Sequence, residues 1–118
     1  MSSRVAKAAL LGVVALTIVS AACATKINSV MADPGRYRDR EVTVSGVVNE
    51  SFSLAGRGAY QIEDRTGSLW VISESGVPHR GARVEVKGVI REAFNIGRLG
   101  DRLPTNGLVM LEREHRAR

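Results

Sequence analysis

Aromatic residues are scarce in this 118-residue chain, at 4%, with one Trp, two Tyr and two Phe. Such a lean supply counts against a general single-strand nucleic-acid binder, which stacks successive bases on aromatic rings. A single cysteine, Cys23, rules out an internal disulfide. The two histidines, His79 and His115, stand far apart with no cysteine nearby, so no metal-ligand spacing exists and both read as surface residues. No metal or cofactor is therefore expected. The nucleophile-elbow pattern is missing as well. Gly56-Arg57-Gly58 and Gly97-Arg98-Leu99-Gly100 are glycine-rich, but neither leads into a helix as a phosphate loop must. Together these absences point away from an enzyme. Buried carboxylates or a Ser–His contact would reopen a hydrolase reading.

A long hydrophobic run is also lacking. Ala8–Val19 is uncharged and largely apolar, but a membrane span needs about 20 residues. With Arg4 and Lys7 before it and Ser20-Ala21-Ala22 after it, the run fits the core of an export signal covering residues 1–22. Ser20-Ala21-Ala22-Cys23 resembles a bacterial lipobox, with Ser20 where a larger aliphatic residue is usual. The resemblance implies lipidation of Cys23, with palmitate among the acyl chains, and several chains give lasting anchorage where one does not. Residues 23–26 would then be the linker. The alternative is ordinary signal cleavage after Ala22 or Ala24. Ala24 is not an Asp, which by the enterobacterial sorting analogy favours the outer membrane over the inner one. In either case the protein is expected on the periplasmic side of the envelope. Signal removal lowers the formal +5 by the charges of Arg4 and Lys7, leaving a mild balance that permits an anionic partner without demanding one.

What is present reads as strands. Ile27, Val30 and Met31 mark one face of a short helical lead-in, stopped by Pro34-Gly35. Glu41–Phe52 and Gly81–Phe94 share the pattern Val-x-Val-x-Gly-Val-aliphatic around Gly46 and Gly88, and a glycine inside a strand marks a bulge or sharp bend. Tyr60–Ile72 is a hairpin whose turn, Asp64-Arg65-Thr66-Gly67, has the right chemistry. Asn95–Gly107 reads as a long loop, Leu108–Glu112 as a fifth strand, and the charged end, with 115–118 as its last part, as a tail.

Pro34…Tyr37, Val42-Thr-Val-Ser-Gly46-Val, Tyr60-x-Ile-x-Asp64-x-Thr-Gly67-x-Leu-Trp-Val and Gly81-x-x-Val84-x-Val86-x-Gly88 resemble small oligonucleotide/oligosaccharide-binding (OB) domains of exported bacterial proteins. The likeness is to the tRNA-anticodon-binding-like group and the periplasmic bacterial OB-fold family. It implies an all-β, five-stranded Greek-key barrel over residues 27–114 with a short N-terminal helical lead-in, and a reduced helix between strands three and four. Another periplasmic OB barrel, the haem chaperone of cytochrome c maturation, uses a His followed four residues later by a Tyr. That pair is missing here. OB barrels bind on the face of strands two and three between flanking loops, which implies Tyr60, Trp70, Arg57, Arg98 and Arg102 as ligand-binding residues. The expected role is a non-catalytic interaction module, anchored to the membrane by its lipid, with an envelope protein as partner. Binding of nucleic acid or another anion through the same residues is the alternative, and it is not favoured.

Overall fold

The computed structural model describes residues 24–54, 57–93 and 107–118. Two short helices, α1 (Ile27–Ala32) and α2 (Pro34–Tyr37), precede five strands: β1 (Glu41–Leu54), β2 (Arg57–Glu63), β3 (Ser68–Ser73), β4 (Arg83–Glu92) and β5 (Leu108–Ala117). Pro34 opens α2 at a position where its missing N–H costs nothing. The turn between β2 and β3 is built on one carboxylate. Asp64 Oδ1 accepts from the backbone N–H of Thr66 at 2.7 Å and of Gly67 at 3.0 Å. Its Oδ2 accepts from Ile27 N–H at 3.0 Å, which docks α1 onto the barrel. Partial burial pushes the Asp64 carboxyl up, but the hydrogen bonds from Ile27, Thr66 and Gly67 outweigh it and hold the group below its ordinary range.

The strands close into a barrel in the order β1-β2-β3-β5-β4. All neighbours are antiparallel except β3 and β5, joined by the pairs Trp70↔Val109, Val71↔Met110 and Ile72↔Leu111. β1 serves both halves of the wall: residues 41–47 pair with β4 and residues from Val47 onward with β2. The two glycines that the strand pattern singles out mark the crowded points. A Cβ on Gly46 would overlap the Glu63 carbonyl, and one on Gly88 the Leu111 carbonyl. At Lys87/Gly88 the β4–β5 register also shifts.

Inside the barrel lies one apolar cluster, from Ile27 and Val30 of α1 to Met110 of β5, with Val44, Val48, Ile62, Leu69, Val71, Val86 and Ile90 between them. The chain from Ala24 onward thus carries every described element and both apolar clusters. Several boundaries differ from the sequence reading: Pro34-Gly35, expected to stop the helical lead-in, opens α2, and β1 runs past Phe52 to Leu54. Among the described residues no helix separates β3 from β4: of Ser73–Arg80, where the reduced helix is expected, Ser73 ends β3 and the rest is bend, turn and coil. β5 continues to Ala117 instead of stopping at Glu112, because Glu114, His115, Arg116 and Ala117 stay in ladder with β4. The export signal, Cys23, Arg98 and Arg102 lie outside the described residues.

Candidate functional site

Alternation along each strand decides which side chains can meet a partner. Tyr60 and Ile62 point inward and Ala59 outward; on β3, Leu69 and Val71 point inward and Trp70 and Ile72 outward. The outer face of β2, β3 and β5 therefore carries Ala59, Trp70, Ile72, Val109 and Leu111, joined by Ala93. Phe52 on β1 extends it, its ring 5.8 Å from that of Trp70 at 60°. Trp70 is only 3% exposed and its indole N–H has no acceptor, whereas Phe52 is 36% exposed. Arg57, at the start of β2, meets Glu74 at 3.6 Å. Of the five residues singled out for binding, the structure brings Trp70 and Arg57 to the outer side of the wall. Tyr60 is wholly buried inside the barrel and cannot stack a ligand.

Tyr60 instead belongs to a polar cluster that the sequence did not suggest. Glu112, on β5, has a side chain only 1% exposed. Its Oε1 accepts from the Tyr60 hydroxyl and faces His115 Nδ1 at 2.6 Å. Oε2 accepts from Ser73 Oγ at 2.6 Å and from Ser75 Oγ at 3.1 Å. An ionised carboxylate has about four acceptor sites, and here they are all occupied. Burial, the hydrogen bond to Glu112 and the charge of Glu112, in that order, push the Tyr60 hydroxyl far above its usual pKa. His115 therefore does not lie on the open surface, as expected for a histidine in a charged tail; it faces the Tyr60 ring edge-on at 6.0 Å.

A buried carboxylate beside a serine and a histidine reopens the hydrolase question, and the order of their contacts differs from that of a nucleophilic triad. In a nucleophilic triad the histidine lies between serine and acid and takes the serine proton. Here the acid lies in the middle. Ser73 donates to Glu112, not to His115, and is fully buried. Ser75 is exposed, but its hydroxyl too donates to Glu112 and not to His115. Among the described residues no three His, Cys, Asp or Glu side chains gather as a metal cage.

No protein-family model matches the chain, and no curated protein matches its sequence. Solved structures do. The chain is similar to asparaginyl-tRNA synthetase from Pyrococcus horikoshii complexed with asparaginyl-adenylate, with TM-score 0.56 and 14% identity over 70% of this chain and 20% of that one. It is similar to a chain of a replication protein A heterotrimer bound to single-stranded DNA, with TM-score 0.51 and 22% identity over 66% of this chain and 57% of that one. A third likeness is to an OBody, AM3L09, bound to hen egg-white lysozyme, with TM-score 0.54 and 19% identity over 70% of this chain and 84% of that one. The domain is an OB barrel. At these identities the likeness carries the fold and no further, and the chain spans about 20% of the synthetase it matches. On the OB barrel, the β2–β3 outer face with Trp70 and Phe52 is the surface on which such domains generally bind.

Proposed function

We propose that this OB domain is a non-catalytic interaction module, anchored through a lipid on Cys23 at the periplasmic side of the bacterial envelope, preferentially the outer membrane. Its outer β2–β3–β5 face receives a protein partner. The observation that carries the reading is the chemistry of that face: among the described residues Phe52 is one of two large hydrophobic side chains left exposed, and its ring lies against the buried Trp70 at the edge of a buried apolar cluster. The flanking cation, Arg57, already has a carboxylate. Apolar anchors with neutralised charge suit a protein surface better than a phosphate backbone, which asks for free cations and open rings. The lysozyme-bound OBody is a precedent for protein recognition by a barrel of this fold. A non-catalytic role is supported by the fully engaged Glu112.

The nucleic-acid alternative draws on the likeness to a replication protein A chain bound to single-stranded DNA. One experiment separates the two. A photo-crosslinking residue at position 52 of the full chain should give a discrete adduct in the envelope fraction, and one at position 113, on another side of the barrel, should not. In parallel, single-stranded DNA titrated at low salt should leave the fluorescence of Trp70, the sole tryptophan, unchanged. Quenching that disappears steeply with added salt, with no adduct from position 52, would transfer the role to nucleic acid. Palmitate labelling that is lost in Cys23→Ser tests the anchor itself.

A further inference from the structure

Among the described residues the arginines divide by what they touch. Arg38, Arg57, Arg91, Arg113 and Arg116 each meet a carboxylate. Arg36, Arg40, Arg65, Arg80, Arg83 and Arg118 are in no ion pair, and three of these, Arg65, Arg83 and Arg118, line one groove of about 760 Å³. It opens where β1 passes from β4 to β2, for Val47 is in register with both Arg83 and Glu63. Arg80 braces the rim: its Nε donates to the Asn49 carbonyl at 3.0 Å and its terminal nitrogens are free.

Two carboxylates share the wall, but both are committed. Glu63 accepts from Asn49 Nδ2 at 2.7 Å, and Asp64 holds α1 and its own turn. Both keep their charge, but neither forms an ion pair with Arg65, Arg83 or Arg118, whose guanidinium forks are left open to an anion. Two further polar atoms in its wall, Ser45 Oγ and Asn49 Oδ1, are buried without a partner. With Nδ2 engaged by Glu63, Asn49 Oδ1 can only accept. A ligand bringing an anion would satisfy the guanidinium forks, and Asn49 Oδ1, which lies beneath the surface, would take a hydroxyl only where the wall parts to admit one.

The groove also lies beside the point where the chain enters the barrel. Asp64, in its wall, takes the N–H of Ile27, which follows Cys23 by only four residues in the sequence. We infer that the groove receives the phosphate and glycerol hydroxyls of an anionic phospholipid headgroup, so that tether and groove together fix the orientation of the domain on its membrane. The orienting role rests on the lipid-anchored reading proposed above; binding of the headgroup does not.

The test uses the unlipidated domain, residues 24–118, with vesicles of phosphatidylcholine alone and in equal mixture with phosphatidylglycerol. Binding is expected only to the mixed vesicles. Arg65→Gln, Arg83→Gln and Arg118→Gln should each lower the partition coefficient about fivefold, and the triple variant roughly a hundredfold. Arg91→Gln removes the same charge from a side chain paired with Asp39 and should leave binding within about twofold. An equal loss in Arg91→Gln would reduce the effect to diffuse charge and overturn the inference. So would binding indifferent to phosphatidylglycerol, or single-stranded DNA held by the same three arginines. Palmitate labelling of the full chain reads the anchor separately. Labelling without vesicle binding defeats the groove alone, and vesicle binding without labelling defeats the anchor alone.

Discussion

Replacing Glu112 by Gln leaves the volume of the side chain unchanged and removes its charge, so it isolates the electrostatics of the buried cluster. Four donors converge on the carboxylate: the hydroxyls of Tyr60, Ser73 and Ser75, and His115. A hydrogen bond to a charged group contributes about 1.5–3 kcal/mol, against about 1 for a neutral pair. The amide turns one acceptor into a donor, which opposes the groups now on Oε2. Ser73 can adapt, since its hydroxyl also reaches the Gly76 carbonyl at 2.8 Å; Tyr60 can go on donating to the remaining oxygen. Weakening two charge-assisted bonds while the desolvation cost of the carboxylate disappears leaves a net loss of about 2–3 kcal/mol. In a domain of this size that lowers the melting temperature by roughly 10–20 °C. Glu112→Ala should cost more, about 3–5 kcal/mol, because it strands the fully buried Tyr60 and Ser73 hydroxyls. Urea unfolding of residues 24–118 at neutral pH reads both, as a shift in midpoint at constant slope. Losses below about 0.5 kcal/mol in both variants would refute the claim that this cluster is part of what holds the barrel closed.

Trp70→Ala should cost about 3–5 kcal/mol in the same assay, as for a core aromatic, because the ring is 3% exposed; a loss under about 1 kcal/mol would mean an open ring. Gly88→Ala should destabilise by about 1–3 kcal/mol by forcing a methyl against the Leu111 carbonyl. Gly35→Ala, where a Cβ meets nothing within 4 Å, should be neutral or mildly stabilising. Alkaline pH should weaken the fold through Tyr60. Its folded pKa is raised, so its contribution is complete below about pH 10, the unfolded value. As pH climbs further the unfolded chain releases a proton the barrel retains, and stability falls by up to about 1.4 kcal/mol per pH unit. Denaturation midpoints between pH 8 and 11 should show that excess slope over Tyr60→Phe.

The sequence displayed the barrel more clearly than the arrangement of its side chains. Alternating valines around Gly46 and Gly88 mark β1 and β4, and the Asp64–Gly67 turn marks the connection of β2 to β3, by chemistry that is local. Facing direction is not local in the same way. Leu69-Trp70-Val71-Ile72 is apolar at every position, so the run alone does not say which residues are inside. The pairing Tyr60↔Val71 and Gln61↔Trp70 puts the two aromatics on opposite faces. The second half of β5 is hidden for another reason. Its inward residues are Glu112 and His115, which are polar, and the register shift at Lys87/Gly88 lets both point inward although they are three residues apart. Their partners Tyr60 and Ser73 lie 52 and 39 residues from Glu112 in sequence, beyond the range of any periodic pattern.

Among the described residues the parallel ladder between β3 and β5 has three residue pairs, whereas β1 and β2 share seven. A cylinder closed by one short ladder has a seam, and thermal opening starts where the fewest bonds must break together. Amide protons of the β3–β5 ladder should therefore exchange with solvent through small local openings, while those of the β1–β4 ladder wait for the whole barrel to come apart. Trp70 lies on the seam itself. Whatever engages its face would also act as a clasp, suppressing the breathing of the domain without changing its average shape.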